Sequence, residues 1–556
     1  MNKKVCSFPI LFALLALLIG TCAVVFPASA QAAPTSTGSI TVSGNVARSY
    51  DAYQIFSANV VDGDGDAKIA TDLAWASDAV RDAALPVLHS AGMPNSQTTA
   101  QEAAEWLNTD SHLTSALSAQ LARSLQSSGA VSVALNAGAT AELPCGYWLI
   151  VADDDVIAQG EAGTAPIMAL VGGSAVTVKP KAATPKVSKH VLEDSTAAWQ
   201  KAADATVADD LYWRLSATVP AGLTAYDTYT VQFVDTMSAG LDPSKVAASM
   251  RMYAAAGADG GFDAVSAGRD GRAGTEPAKG WTDITAQCAT MVAADGKTFT
   301  VRTGDLIAAL GGADAFAAGA RVVAVYNAPL NSVCNHGIAK GNPNEVYLRY
   351  PRSPFADQSG DAGFTHTPSD DACAYTWDLA LTKRGSDGDK PLAGAVLSIA
   401  DDRGRTLAAD GTWDAEGKAT VTTGEDGRVT VSGVDSGKLE VRELKAPKGY
   451  TAFEGTRSVM VKAEGLDVDQ VAAAKPKLTI TAESPLRADS ADGSTGSLEA
   501  SLINTPTGTP PSITTGGFMP STGDMAMYAA AAAAVAGAAL IVVALLVKRG
   551  GGSHKE

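Results

Sequence analysis

Leu211-Tyr212-Trp213-Arg214-Leu215-Ser216-Ala217-Thr218-Val219-Pro220-Ala221-Gly222 places apolar side chains at every second position and then stops at a proline and a glycine. Successive side chains of an extended chain point to opposite faces, so this alternation is the pattern of a strand buried on one side, with Pro220 and Gly222 marking its turn. Residues 229–234 and 321–326 repeat it. Strands of this kind predict antiparallel β-sandwiches. Residues 100–107 and 113–125 depart from it, because their apolar positions recur at helical spacing. A mixed α+β first domain is therefore expected ahead of mainly β ones.

With 556 residues the chain has room for about three domains plus terminal segments, at roughly 150 residues per domain. Hydrophobic residues make up 46% of it, a figure raised by long apolar runs at both ends. A formal net charge of -17 excludes a nucleic-acid backbone as partner, since that role needs clustered lysine and arginine.

The ends read as addresses. Lys3-Lys4, an apolar run through Phe26 and Ala28-Ser29-Ala30 have the charged, apolar and small-residue parts of a cleaved secretory signal. Secretion exposes Cys145, Cys288, Cys334 and Cys373 to an oxidising compartment, and one bridge, Cys288 to Cys334, is expected because both fall in one domain, although spacing does not fix the pairing. Residues 525–547 are uncharged and apolar, long enough to span a bilayer, and are followed by Lys548-Arg549. Met519-Pro520-Ser521-Thr522-Gly523 stands immediately before them.

That order of pentapeptide, apolar span and basic tail resembles the sortase sorting signal of Gram-positive surface proteins. The resemblance implies cleavage between Thr522 and Gly523, with pilus-specific and housekeeping sortases as partners and peptidoglycan as the anchor; Met519 replaces the usual leucine. Further upstream, the stretch from Leu439 through Glu443 to Ala446-Pro447-Lys448-Gly449-Tyr450 resembles the pilin E-box. Leu381-Thr382-Lys383 opens that domain and Leu502-Ile503-Asn504-Thr505-Pro506 closes it, an order similar to a collagen-adhesin B-type domain. The resemblance implies an intramolecular isopeptide bond from Lys383 to Asn504, with Glu443 as its proton shuttle. Val187-Ser188-Lys189, Phe233-Val234-Asp235 and Asn344-Glu345-Val346-Tyr347 resemble the isopeptide-forming fimbrial domain of collagen-adhesin A type. They imply a bond from Lys189 to Asn344 assisted by Asp235, with Lys186, Asn327 and Asn342 as near competitors.

Tyr53-Gln54-Ile55-Phe56-Ser57 resembles the first domain of major pilins, and Val176-Thr177-Val178-Lys179-Pro180-Lys181 resembles the pilin motif. Lys181 then takes the place of the lysine that attacks the sortase acyl intermediate of the next subunit; Lys179 or Lys186 could substitute. The fold class implied is mainly β: tandem immunoglobulin-like sandwiches of collagen-adhesin A and B type after a mixed first domain. The expected organisation is a signal peptide over 1–30, an N-terminal domain over 31–178, a fimbrial domain over 179–375, a B-type domain over 376–506, a linker over 507–518 and the sorting segment over 519–556. The implied function is that of a structural pilus subunit polymerised with further copies of its own type. The alternative is a monomeric wall-anchored adhesin that grips a host or neighbouring-cell ligand.

Enzymatic turnover is not expected, since no nucleophile, phosphate loop or glycosidase-like pair of acids stands out. Asp62, Asp64 and Asp66 begin like a calcium loop, but Ala67 and Leu73 replace its glycine and final glutamate. No metal or cofactor is expected. No lysine lies between Lys4 and Lys68, which argues against a first-strand bond in the N-terminal domain.

Overall fold

The computed structural model describes residues 36–508, except 45–47, 66, 110–111, 154–156, 158–159, 181–183, 264–276, 355 and 357. The expected signal peptide, the membrane span, Thr522, Gly523 and Lys181 therefore lie outside the described residues. Among the described residues, no helix is long and apolar enough to cross a membrane.

The chain opens with two sheets and three helices. The long strand Ser49–Asp62 pairs with Lys68–Trp75, Val133–Asn136 and Gly146–Ala152, and Ile167–Val171 extends the sheet beyond the last of these. Alternation sorts the two faces. Ile55, Leu149 and Val151 meet the helices Asp78–Ser90, Ala100–Asn108 and Ser115–Ser128, whereas Tyr50, Ala52 and Ile150 meet Ile40 and Val42 of a three-stranded sheet. Local chemistry ends the helices. Thr99 and Glu102 exchange hydrogen bonds at the start of the second helix, and Gly129, at φ 72°, stops the third.

The middle of the chain is a sandwich. One sheet has the order Ala198–Gln200, Lys186–Glu193, Tyr212–Val219, Ala320–Asn327, Arg251–Ala256, Thr282–Asp283. The other runs Ala202–Asp204, Asp370–Tyr375, Asn342–Pro351, Gln232–Met237, Thr298–Arg302, Ala289–Val292, with Phe364–His366 beside Asn342–Pro351. Trp213, Leu215, Ala217 and Val219, the alternating residues of the opening stretch, all point into the core between them.

A second sandwich follows. Arg428–Val434, Trp377–Gly385 and Ser497–Pro506 are consecutive neighbours in its first sheet. Its second carries Val396–Ala400, Gly437–Lys445, Thr456–Glu464 and Lys477–Ala482. The fold is thus mainly β, with tandem sandwiches after a mixed first unit.

Among the described residues, pairing departs from the antiparallel expectation at three places: Thr37–Val42 with Val176–Val178, Ala202–Asp204 with Asp370–Tyr375, and Trp377–Gly385 with Ser497–Pro506 all run parallel. Each joins segments far apart in the chain, which no hairpin can connect. Local periodicity is the same for either direction, so it carries no information about such pairs.

Candidate functional site

In the last sandwich, Leu379, Leu381 and Lys383 occupy successive inward positions of one strand, and Lys383 is fully buried. An amine therefore sits where the period-2 pattern calls for an apolar side chain. Parallel register sets Lys383 opposite Leu502. Asn504 lies two residues further along on the same face, so lysine and asparagine are diagonal neighbours. Leu439, Val441 and Glu443 form the inward row of a strand in the facing sheet.

The three groups meet. Lys383 Nζ donates to Asn504 Oδ1 and lies 3.3 Å from Glu443 Oε1. Asn504 Nδ2 donates to Glu443 Oε1 at 2.9 Å and Oε2 at 3.0 Å. Phe453 N also donates to Oε2, at 3.1 Å, holding the carboxylate from its far side. Burial lowers the Lys383 pKa to about 8, against the opposing pull of Glu443.

The middle site is assembled across its two sheets. Lys189 comes from the first sheet, with Leu215 opposite it, and Tyr326 from the same sheet, opposite Trp213. Asp235 and Asn344 come from the second sheet, where Asn344 faces Met237 and Asp235 faces Val346. Lys189, Asp235 and Asn344 are all 0% exposed. Lys189 Nζ donates to Asp235 Oδ2 and to the Tyr326 hydroxyl at 2.9 Å. The hydroxyl donates to Asp235 Oδ2 at 3.0 Å and accepts from Asn344 Nδ2 at 2.9 Å. Asp235 Oδ1 and Asn344 Oδ1 are buried without a hydrogen-bond partner.

Burial lowers the Lys189 pKa to about 8 and raises that of Asp235, in each case opposed by the other's charge. Both are driven toward their neutral forms, the amine and the carboxylic acid. The Lys189 backbone is held as well: its N–H donates to Asp370 Oδ2 at 2.7 Å and its carbonyl accepts from Lys201 Nζ at 2.9 Å.

The named competitors are otherwise engaged. Lys186 is exposed. Asn327 Oδ1 accepts from Leu211 N while its Nδ2 donates to Asp210, and Asn342 bridges Asn335 and the Ala374 carbonyl. Lys179 is described and exposed, directly after the strand Val176–Val178. Cys288 and Cys334, expected as a bridge, are free thiols. Each is held in its own turn: Cys288 Sγ donates to Ile284 O at 3.2 Å, and Cys334 N donates to Asn331 O at 3.1 Å. Burial raises both thiols to about 11. Cys145 and Cys373 are free too.

Two features carry no motif in the sequence. Tyr326 stands in the inward row of 321–326, which places its hydroxyl inside the core. The other is the junction between the two sandwiches. There Asp204 Oδ2 accepts from Trp377 Nε1 at 2.6 Å and Ser436 N at 2.9 Å, and Arg405 grips Asp209 through two hydrogen bonds at 2.5 and 2.7 Å.

Residues 378–475, which include Lys383 and Glu443, match the model of the SpaA prealbumin-like fold domain. Over 134 residues the chain is 31% identical to the trypsin-resistant surface T6 protein of Streptococcus pyogenes serotype M6. That match spans 23% of this chain and 23% of that protein, about a quarter of the relative's length. Among solved structures, the T6 backbone pilin of Streptococcus pyogenes aligns with a TM-score of 0.45 and 16% identity, over 86% of this chain and all of that one. The major pilin SpaD of Corynebacterium diphtheriae aligns with a TM-score of 0.40 and 15% identity, over 86% of this chain and 100% of that one. Residues 378–475 thus resemble the SpaA prealbumin-like fold domain.

Proposed function

We propose that this chain is the shaft subunit of a covalent surface fibre, a secreted pilin joined by a sortase through Lys181 of one copy and Thr522 of another and finally attached to peptidoglycan. The observation that carries this is the closure of two separate sandwich cores around a lysine, an asparagine and an acid. A buried charge-bearing trio of this kind is costly to keep for stability alone. It is suited to making a bond.

In the last domain the neutral Lys383 amine adds to Asn504 Cγ. Glu443, within reach of both nitrogens, takes the proton that the amine loses and returns one to the amide nitrogen. The Lys383 Nζ to Asn504 Cγ amide forms and ammonia leaves. Lys189 and Asn344 join with the same balance, with Asp235 as the acid. Fixed proximity inside the folded core replaces an external catalyst. Each acid acts once, on its own chain, so the protein is a substrate of sortases and turns nothing over.

Boiling a wall extract in detergent tests the polymer. A high-mass ladder that collapses to a single band in Lys181→Ala is expected. A single band from the unaltered chain contradicts a shaft and favours a lone wall-anchored protein.

A further inference from the structure

The two sites differ in how the acid reaches the departing amide. Asn504 Nδ2 donates directly to both oxygens of Glu443. Asn344 Nδ2 donates instead to the Tyr326 hydroxyl at 2.9 Å. That same oxygen accepts from Lys189 Nζ at 2.9 Å and donates to Asp235 Oδ2 at 3.0 Å. One hydroxyl thus touches the nucleophile, the acid and the leaving group. Aspartate is one methylene shorter than glutamate, and although Asn344 still steadies the Asp235 carboxylate, the hydrogen bond of its Nδ2 goes to the tyrosine. Its ring is fully buried and fixed edge-on against Phe299, with centroids 4.8 Å apart.

We propose that Tyr326 is a catalytic residue in the joining of Lys189 to Asn344, relaying a proton from Asp235 to the departing amide nitrogen. This presupposes the bond proposed above. The neutral Lys189 amine adds to Asn344 Cγ, and its surplus proton passes to the unprotonated oxygen of the Asp235 carboxylic acid as that acid gives up its own proton through Tyr326. In the tetrahedral adduct the old amide nitrogen is an amine, with a lone pair available to the hydroxyl to which it had been a donor. Tyr326 gives its proton to that nitrogen while taking one from Asp235. The Cγ–Nδ2 bond breaks, ammonia leaves, and Asp235 and Tyr326 end as they began. Burial lifts the phenol well above its usual range, so the hydroxyl passes the proton on only as it receives one.

The test is the intact mass of the purified ectodomain bearing Tyr326→Phe, with peptide mapping of both sites. The expected variant keeps the ammonia of Asn344 while the Lys383–Asn504 crosslink forms normally, and the middle bond appears about 100-fold more slowly or not at all, the loss typical of a missing proton-transfer group. A mass equal to that of the unaltered chain from the outset overturns the role. Replacing Tyr326 by a ring-fluorinated tyrosine separates chemistry from folding, because ring and hydroxyl remain. In pulse-labelled cell-free synthesis the rate of ammonia loss should then change with phenol acidity, and an identical rate and pH profile overturns the relay. An unaltered chain that keeps its Asn344 ammonia overturns the bond itself, a result distinct from either outcome at Tyr326.

Discussion

Lys383 takes an inward position after Leu379 and Leu381, and Lys189 sits on its strand between the core-facing Val187 and Val191. Burying an ammonium there is unfavourable unless it is paired or neutral, and burial moves both toward the neutral amine by lowering their pKa values to about 8. Burial therefore enlarges the share of the reactive neutral amine, although each lysine keeps an acid beside it. Glu193 shows the same burial acting on a carboxyl that joins no bond. Its oxygens accept from Ser195 N and Asp204 N, both at 3.1 Å, and burial with Asp204 alongside raises its pKa to about 7. The folded chain holds this proton more tightly than the unfolded one. Its stabilising contribution is therefore complete below the ordinary glutamate value of 4.5 and is lost as pH rises through about 7. Thermal melts should accordingly show Glu193→Gln raising the melting temperature relative to the unaltered chain at pH 8, with the difference shrinking or reversing at pH 5; a difference independent of pH contradicts the assignment.

Strand pairing turns these residues into sites. Trp377–Gly385 and Ser497–Pro506 are parallel neighbours, so tension applied at the two ends of this domain shears the ladder between them. A bond from Lys383 to Asn504 takes the intervening chain out of the load path, and these two residues are 121 positions apart. Pulled singly, the domain should show no unfolding step, whereas Glu443→Gln, which keeps the side-chain volume but cannot shuttle a proton, should restore one. At roughly 3.4 Å per residue that step is on the order of 400 Å; an equal step in the unaltered chain contradicts the crosslink. Alternation and motif order made the strands, Lys383, Glu443 and Asn504 legible in the sequence. The parallel ladder was not legible, because direction and partner are settled by contacts across more than a hundred residues. Tyr326 was hidden for a different reason, since a tyrosine in an apolar row reads as packing until its hydroxyl partners are known. Arg405 and Asp209 lie 196 positions apart, and only the fold brings them together.

Across the whole molecule the sandwiches are arranged in series. The strand Asp370–Tyr375 ends one sandwich and Trp377–Gly385 begins the next, with Trp377 tied back to Asp204 and Arg405 to Asp209. Such a junction ties one sandwich to the other, which suits the proposed shaft with its two sandwiches each closed by a proposed covalent bond. The first unit has its own parallel closure, Thr37–Val42 against Val176–Val178, which leads to Lys179. The stiffness proposed for the shaft depends on those bonds having formed. Intact mass of the purified ectodomain measures this most directly: a chain lighter than its sequence by two ammonia molecules is expected, with Asp235→Ala and Glu443→Ala each restoring one, whereas a mass equal to that of the unmodified sequence contradicts the bonds.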